Sequence, residues 1–135
     1  MPWPHITALY LAVLALIYCA LAIHVVLLRR GNRAAFGDAG SPELRSAIRA
    51  HGHFAEYVPI TALMVAMLEM AGAPPLRVHL LMIALLLSRV MHPLGMRAAP
   101  LTLQFRLFRT GGMWLTLIVL VASAVALLLR AIHAS

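Results

Sequence analysis

The sequence of 135 residues has no lysine, four acidic residues and one cysteine. Because lysine is missing, all eleven basic residues are arginines, whose forked donors grip carboxylates in a way an ammonium group cannot copy. A lone Cys19 excludes an internal disulfide, and its place inside the first apolar run reads as packing. The segment G-N-R-A-A-F-G-D-A-G, Gly31 to Gly40, is not followed by Gly-Lys-Ser/Thr, so its glycines mark turns and not a phosphate cradle. There is also no internal repeat: Glu56 has no counterpart in the last apolar run, nor Arg89 in the first.

Apolar residues dominate instead. The chain is 63% hydrophobic and 11% charged with a mean hydropathy of +0.93, outside the range of soluble domains. Four apolar stretches run from Ile6 to Leu28, Phe54 to Met70, Val78 to Met91 and Met113 to Leu129. A span needs about 20 apolar residues, so the shorter runs borrow flanking turns. The expectation is an all-α fold, an integral membrane four-helix bundle forming a single domain over the whole chain. Its helices are expected over about 5–30, 42–71, 76–95 and 111–131. The first run is preceded by M-P-W-P-H, without basic residues, and followed by no cleavage pattern, so it reads as a retained span.

Arg29, Arg30, Arg33, Arg45 and Arg49 surround the first connection and Arg97, Arg106 and Arg109 the third, while the second has only Arg77 and the C-terminus Arg130. The positive-inside rule puts connections one and three in the cytoplasm and both termini outside it. The formal charge of +7 suits anionic lipid headgroups and implies no nucleic acid.

Ser41-Pro42-Glu43 reads as an N-cap, an N1 proline and a first-turn acid opening helix two. That helix, about 45 Å long, exceeds a hydrocarbon core of roughly 30 Å and should project from it. Arg45, Arg49, His53 and Glu56 recur on one of its faces, and Pro59 predicts a kink beside Glu56. Glu69 and His79 flank the turn Gly72-Ala73-Pro74-Pro75 and are expected to pair across it. On helix three Arg89, His92 and Met96 share a face, and antiparallel packing brings Arg89 and His92 to the depth of Arg49, His53 and Glu56. The stretch Arg97 to Thr110 reads as a basic, amphipathic interfacial loop before helix four, where Ala122, Ser123, Ala124 and Ala126 suit close packing.

Ionisable groups at that depth are costly unless they face protein or water. Arg45, Arg49 and Arg89 meet one expected carboxylate there, Glu56. One reading is an Arg49–Glu56 pair that holds helices together. The other is a small anion bound by the guanidinium groups, with carboxylates for the arginines and an amine for Glu56. If it carries a thiol, a nearby guanidinium favours the thiolate. Arg29 and Arg30 read either as a topology signal or as a further reach to that anion. His53 and His92 suggest a haem or metal pair, but adjacent arginines repel a divalent cation, and no metal is expected. A proton-coupled exporter needs a carboxylate near the midplane, which helix one lacks.

R-A-H-G-H-F-A-E-Y-V-P at 49–59, L-E-M-A-G at 68–72, His79, R-V-M-H-P-L-G at 89–95 and R-T-G-G-M-W-L-T at 109–116 together resemble the MAPEG family, the membrane-associated proteins of eicosanoid and glutathione metabolism. The similarity is to its small bacterial members with a G-D-x-G loop, here Gly37 to Gly40. It implies a four-helix subunit in a homotrimer, in the bacterial inner membrane, with glutathione as co-substrate and a lipophilic electrophile as second substrate. The activity implied is that of a glutathione transferase or peroxidase. Carried over by position, Arg49, His53, Glu56, Tyr57, Arg89 and His92 are implied glutathione contacts, with Arg29 or Arg30 beside them. Arg109, or in competition Arg106, is implied as the arginine that stabilises the thiolate. His53 stands where the family carries asparagine and Met96 where several members carry tyrosine. Those two positions keep open a second reading, a bundle that retains the fold with weak or absent activity.

Overall fold

The computed structural model describes residues 3–96 and 102–134; Arg97 and the side chain of Met96 lie outside the described residues. Four helices follow in order: α1 (His5–Gly31), α2 (Pro42–Met70), α3 (Pro75–Met96) and α4 (Gly111–Ala134). By length and composition, three helical stretches can cross a membrane: α1, Pro75–Gly95 of α3, and Phe105–His133. The helix α2 is long enough but carries Glu43, Arg45, Arg49, Glu56 and Glu69, and so is the polar member of the set.

The helices α2 and α3 form the centre. Each packs against both α1 and α4, and α1 and α4 make no close approach to one another among the described residues. The inner seam is built from Leu14, Phe54, Val65, Met82, Leu85 and Val119. Outward, α1 and α4 expose Leu9, Leu16, Ile23, Ile118, Val121 and Leu128. Polar residues lie inside instead: Thr61, Ser88, Arg89, His92, Thr116 and Ser123 are all buried. That inversion is expected of a chain solvated by hydrocarbon, where packing and internal hydrogen bonds replace a hydrophobic drive. Of the small residues on α4, Ser123 is buried and Ala126 half-buried, whereas Ala122 and Ala124 remain exposed.

The opening of α2 follows the sequence reading: Ser41 Oγ accepts from Leu44 N at 3.3 Å and Pro42 occupies the first turn. Two expectations are corrected. Glu69 does not pair with His79. Its carboxylate accepts from the amides of Ile6 and Thr7, both at 2.9 Å, and from the Thr7 hydroxyl at 2.7 Å. His79 Nδ1 instead lies 3.0 Å from the Tyr10 hydroxyl. The first amides of a helix have no partner of their own, so the carboxylate is drawn to cap the positive end of α1.

The second correction concerns the third connection. Its described part is helical, not a loop: Phe105–Thr110 forms a wide π-helical turn that runs straight into α4, with Gly111 N–H bonding Arg106 O five residues back. Glycine makes that turn possible. A Cβ on Gly95 would sit 2.2 Å from Arg109 N, so only glycine lets α3 approach this closely. Gly112 does the same one turn on, where a Cβ would lie 3.1 Å from Ser88 O and 3.3 Å from His92 N.

Candidate functional site

The polar residues near the first and third connections divide into an inner and an outer group. Arg89 is the inner anchor, only 1% exposed. It donates from Nε to Ser88 Oγ at 3.2 Å, from Nη1 to the His53 carbonyl at 3.4 Å, and from Nη2 to Thr116 Oγ1. The Thr116 hydroxyl lies 3.0 Å from Ser88 Oγ and 2.9 Å from Gly112 O. One buried cation thus ties α2, α3 and α4 together through neutral oxygens. His92, 3% exposed, meets the His53 ring edge-on with centroids 4.9 Å apart. Both His92 ring nitrogens and Nδ1 of His53 are buried, without a hydrogen-bond partner among the described residues. The His53 ring also lies 6.0 Å from that of Tyr57, which is half-buried.

The outer group surrounds an open cleft of about 600 Å³ lined by Gly37, Asp38, Arg45, Ser46, Arg49 and Arg109, within the roughly 300–1,000 Å³ of small-molecule sites. The first connection supplies one wall, α2 the floor and the wide turn before α4 the other wall. Arg29 donates to Gly37 O at 2.9 Å and so fastens the first wall to the end of α1. Asp38 shapes the same loop by accepting from Gly40 N at 3.0 Å, while its other oxygen pairs with Arg45 Nε. This ion pair and hydrogen bond with Arg45 hold the Asp38 carboxyl below the usual carboxylate range. Arg49 lies 3.9 Å from Glu56, both side chains more than half exposed, a pair of little energetic weight. The Arg109 guanidinium stands 4.8 Å over the Phe105 ring. Among the described residues no carboxylate lies within ion-pair distance of it.

The sequence-predicted residues therefore fall into separate places. Arg49 and Arg109 share the cleft, and Glu56 stands one ion pair away. Arg89, His92 and His53 meet inside the bundle. Arg29 is spent on the loop, Arg30 is exposed in the last turn of α1, and Arg106 is exposed and does not line the cleft. Glu56 is not the only carboxylate of this zone, since Asp38 reaches it and neutralises Arg45. Ser88 and Thr116 were not foreseen as partners of Arg89, because they are neutral and 28 residues apart. Asp38 had a visible signal in the G-D-A-G loop, but its pairing with Arg45 depends on how that loop folds back.

Chemically, the cleft offers three guanidinium groups against one carboxylate. A small ligand with carboxylates and an amine fits that set. A second cavity, of about 690 Å³, is an apolar groove between α1 and α2 with Leu14, Tyr18, Phe54 and Pro59 in its walls.

Inner membrane protein YecN of Escherichia coli (strain K12) is 43% identical over 90 residues, covering 67% of this chain and 69% of the relative. YecN of E. coli O6:H1 (strain CFT073) matches with the same identity and coverage. No solved structure matches significantly. The family model described as MAPEG family matches residues 7–129, a span that takes in all four helices, the arginine cleft and the buried Arg89, and the chain belongs to the MAPEG family.

Proposed function

We propose that this protein binds glutathione in the cleft between the first connection, α2 and the wide turn, and acts as a glutathione-dependent transferase or peroxidase on lipophilic electrophiles. The observation that carries this is the meeting of Arg49 and Arg109, distant in sequence, around one cavity of about 600 Å³. Glutathione supplies two carboxylates, an ammonium group and a thiol, and the residues present fit that set. Arg49 holds carboxylates beside the Asp38-paired Arg45, Glu56 on the same face of α2 receives the amine, and Arg109 holds negative charge on sulfur. Arg109 is favoured over Arg106 because it lines the cleft. Arg89, His53, His92 and Tyr57 support the site from behind by fixing α2 against α3 and α4. The apolar groove and the lipid-exposed faces suit an electrophile that arrives from the bilayer.

In this reading three copies assemble, as the family resemblance implies, in the inner membrane with the arginine-rich end toward the cytoplasm. The alternative, a bundle with little or no activity, draws on the pairing of Arg45 with Asp38 and of Arg49 with Glu56, which reduces the charge left for a ligand. Calorimetric titration of the purified protein with glutathione separates the two. The expected result is saturable heat, with affinity reduced about tenfold or more in Arg49→Gln; no heat with the wild-type protein at millimolar ligand favours the inactive bundle.

A further inference from the structure

At the opposite end of the bundle, the start of α3 and the end of α4 enclose a small cleft of about 300 Å³ lined by Arg77, Ala126, Leu129, Arg130 and His133. Its lining combines the guanidinium groups of Arg77 and Arg130 with the apolar side chains of Ala126 and Leu129. No acid lies in the first turn of α3. Three of the chain's acids, Asp38, Glu43 and Glu56, lie on the first connection or the first half of α2. The fourth, Glu69, has both oxygens committed to the amides of Ile6 and Thr7 and to the Thr7 hydroxyl. Among the described residues, then, neither Arg77 nor Arg130 has a carboxylate partner.

The remaining donors point to an oxyanion. Arg130 gives one donor to the Ala71 carbonyl at the end of α2 and keeps the rest of its five. His133 Nδ1 donates to Leu129 O at 2.7 Å, which fixes the ring on the last turn of α4 and leaves the two guanidinium groups as the donors for an anion. Leu129 shares the lining with these groups, and Leu76 and Leu80 are exposed on the first turns of α3. Cations beside apolar side chains, at the end of membrane-crossing helices, match the shape of a phospholipid: phosphate at the guanidinium groups, acyl chain along the leucines. We propose that this cleft is a binding site for a net-anionic phospholipid, whose phosphodiester is held by Arg77 and Arg130 and whose headgroup has no ammonium to oppose them. The site is independent of the glutathione reading.

The test uses the delipidated full-length protein in a neutral detergent, titrated separately with phosphatidylglycerol, phosphatidylcholine and inorganic phosphate, with retained ligand read by native mass spectrometry. Phosphatidylglycerol should be retained about tenfold better than phosphatidylcholine. Arg77→Gln should remove that preference, the loss expected for one charge-assisted phosphate contact. Arg33→Gln, on the first connection, should leave it unchanged. Because Arg130 also caps α2, Arg77→Gln is the decisive variant, and an unchanged unfolding temperature shows that it folds. Equal retention of the two lipids, or an Arg77→Gln protein that keeps the preference, overturns the proposal. Inorganic phosphate displacing the lipid at matching concentration overturns the lipid assignment in favour of a free oxyanion.

Discussion

The end of the bundle built around Glu69 and the end built around Arg49 carry similar residue types and treat them in opposite ways. At the first, a carboxylate that is 9% exposed is closed in by two amides and a hydroxyl of α1. At the second, Arg49 and Glu56 stand mostly in the open at 3.9 Å, and Arg109 leans on an aromatic ring beside an unfilled volume. The difference lies in the supply of fixed partners. The first turn of α1 delivers unpaired N–H groups to Glu69, whereas among the described residues no carboxylate faces Arg109. The Glu69 carboxylate is therefore sealed by the backbone of α1, whereas Arg109 keeps its guanidinium group at an open cleft.

Breaking the sealed carboxylate should have the largest effect. Glu69→Ala leaves the amides of Ile6 and Thr7 and the Thr7 hydroxyl without their acceptor, and should lower stability by about 3 kcal/mol, read as a fall in the thermal unfolding midpoint in detergent. A comparable loss from Glu56→Ala would erase the contrast between the ends. Next comes Gly95→Ala. The added Cβ would sit 2.2 Å from Arg109 N, so the wide turn must shift, at a cost of about 2 kcal/mol, measurable in the same unfolding assay. That shift also carries Arg109 away from the cleft, so glutathione binding should fall further than stability alone explains.

The smallest effect concerns acid. Asp38 is held below the usual carboxylate range, chiefly by its hydrogen bond to Arg45. Its pairing therefore stabilises the loop fully above the unfolded carboxyl value of about 3.9 and loses that contribution as pH falls through the lower folded value. Asp38→Asn should flatten the acid side of a stability-versus-pH profile by a small amount, since the pair is exposed. A profile identical to wild type would show that the loop does not depend on it.

Much of the frame was legible in the sequence because hydrocarbon solvent leaves few options. Long apolar runs, Ser41-Pro42-Glu43 and the gathering of arginines at two connections suffice for four helices and a polar zone at one end. What stayed hidden depends on three-dimensional approach. Glu69 looked like a partner for His79 because the two flank one turn, but the true partners lie more than 60 residues away on α1. The turn that presents Arg109 read as a loop, since nothing in F-R-L-F-R-T announces a π-helical winding; its backbone packs against the bare backbone of Gly95 on another helix. Arg89 belonged with the ligand-facing arginines by sequence depth, yet its side chain is enclosed by Ser88, Thr116 and the His53 carbonyl.

The most direct test of the open end is the ultraviolet difference spectrum of glutathione added to the purified protein at neutral pH, which reports the thiolate. Wild type and Arg106→Gln are expected to show the thiolate band, and Arg109→Gln to lose it while still giving heat of binding. A band of equal size in Arg109→Gln, or none in wild type at millimolar glutathione, would contradict the assignment of that end to an anionic thiol ligand.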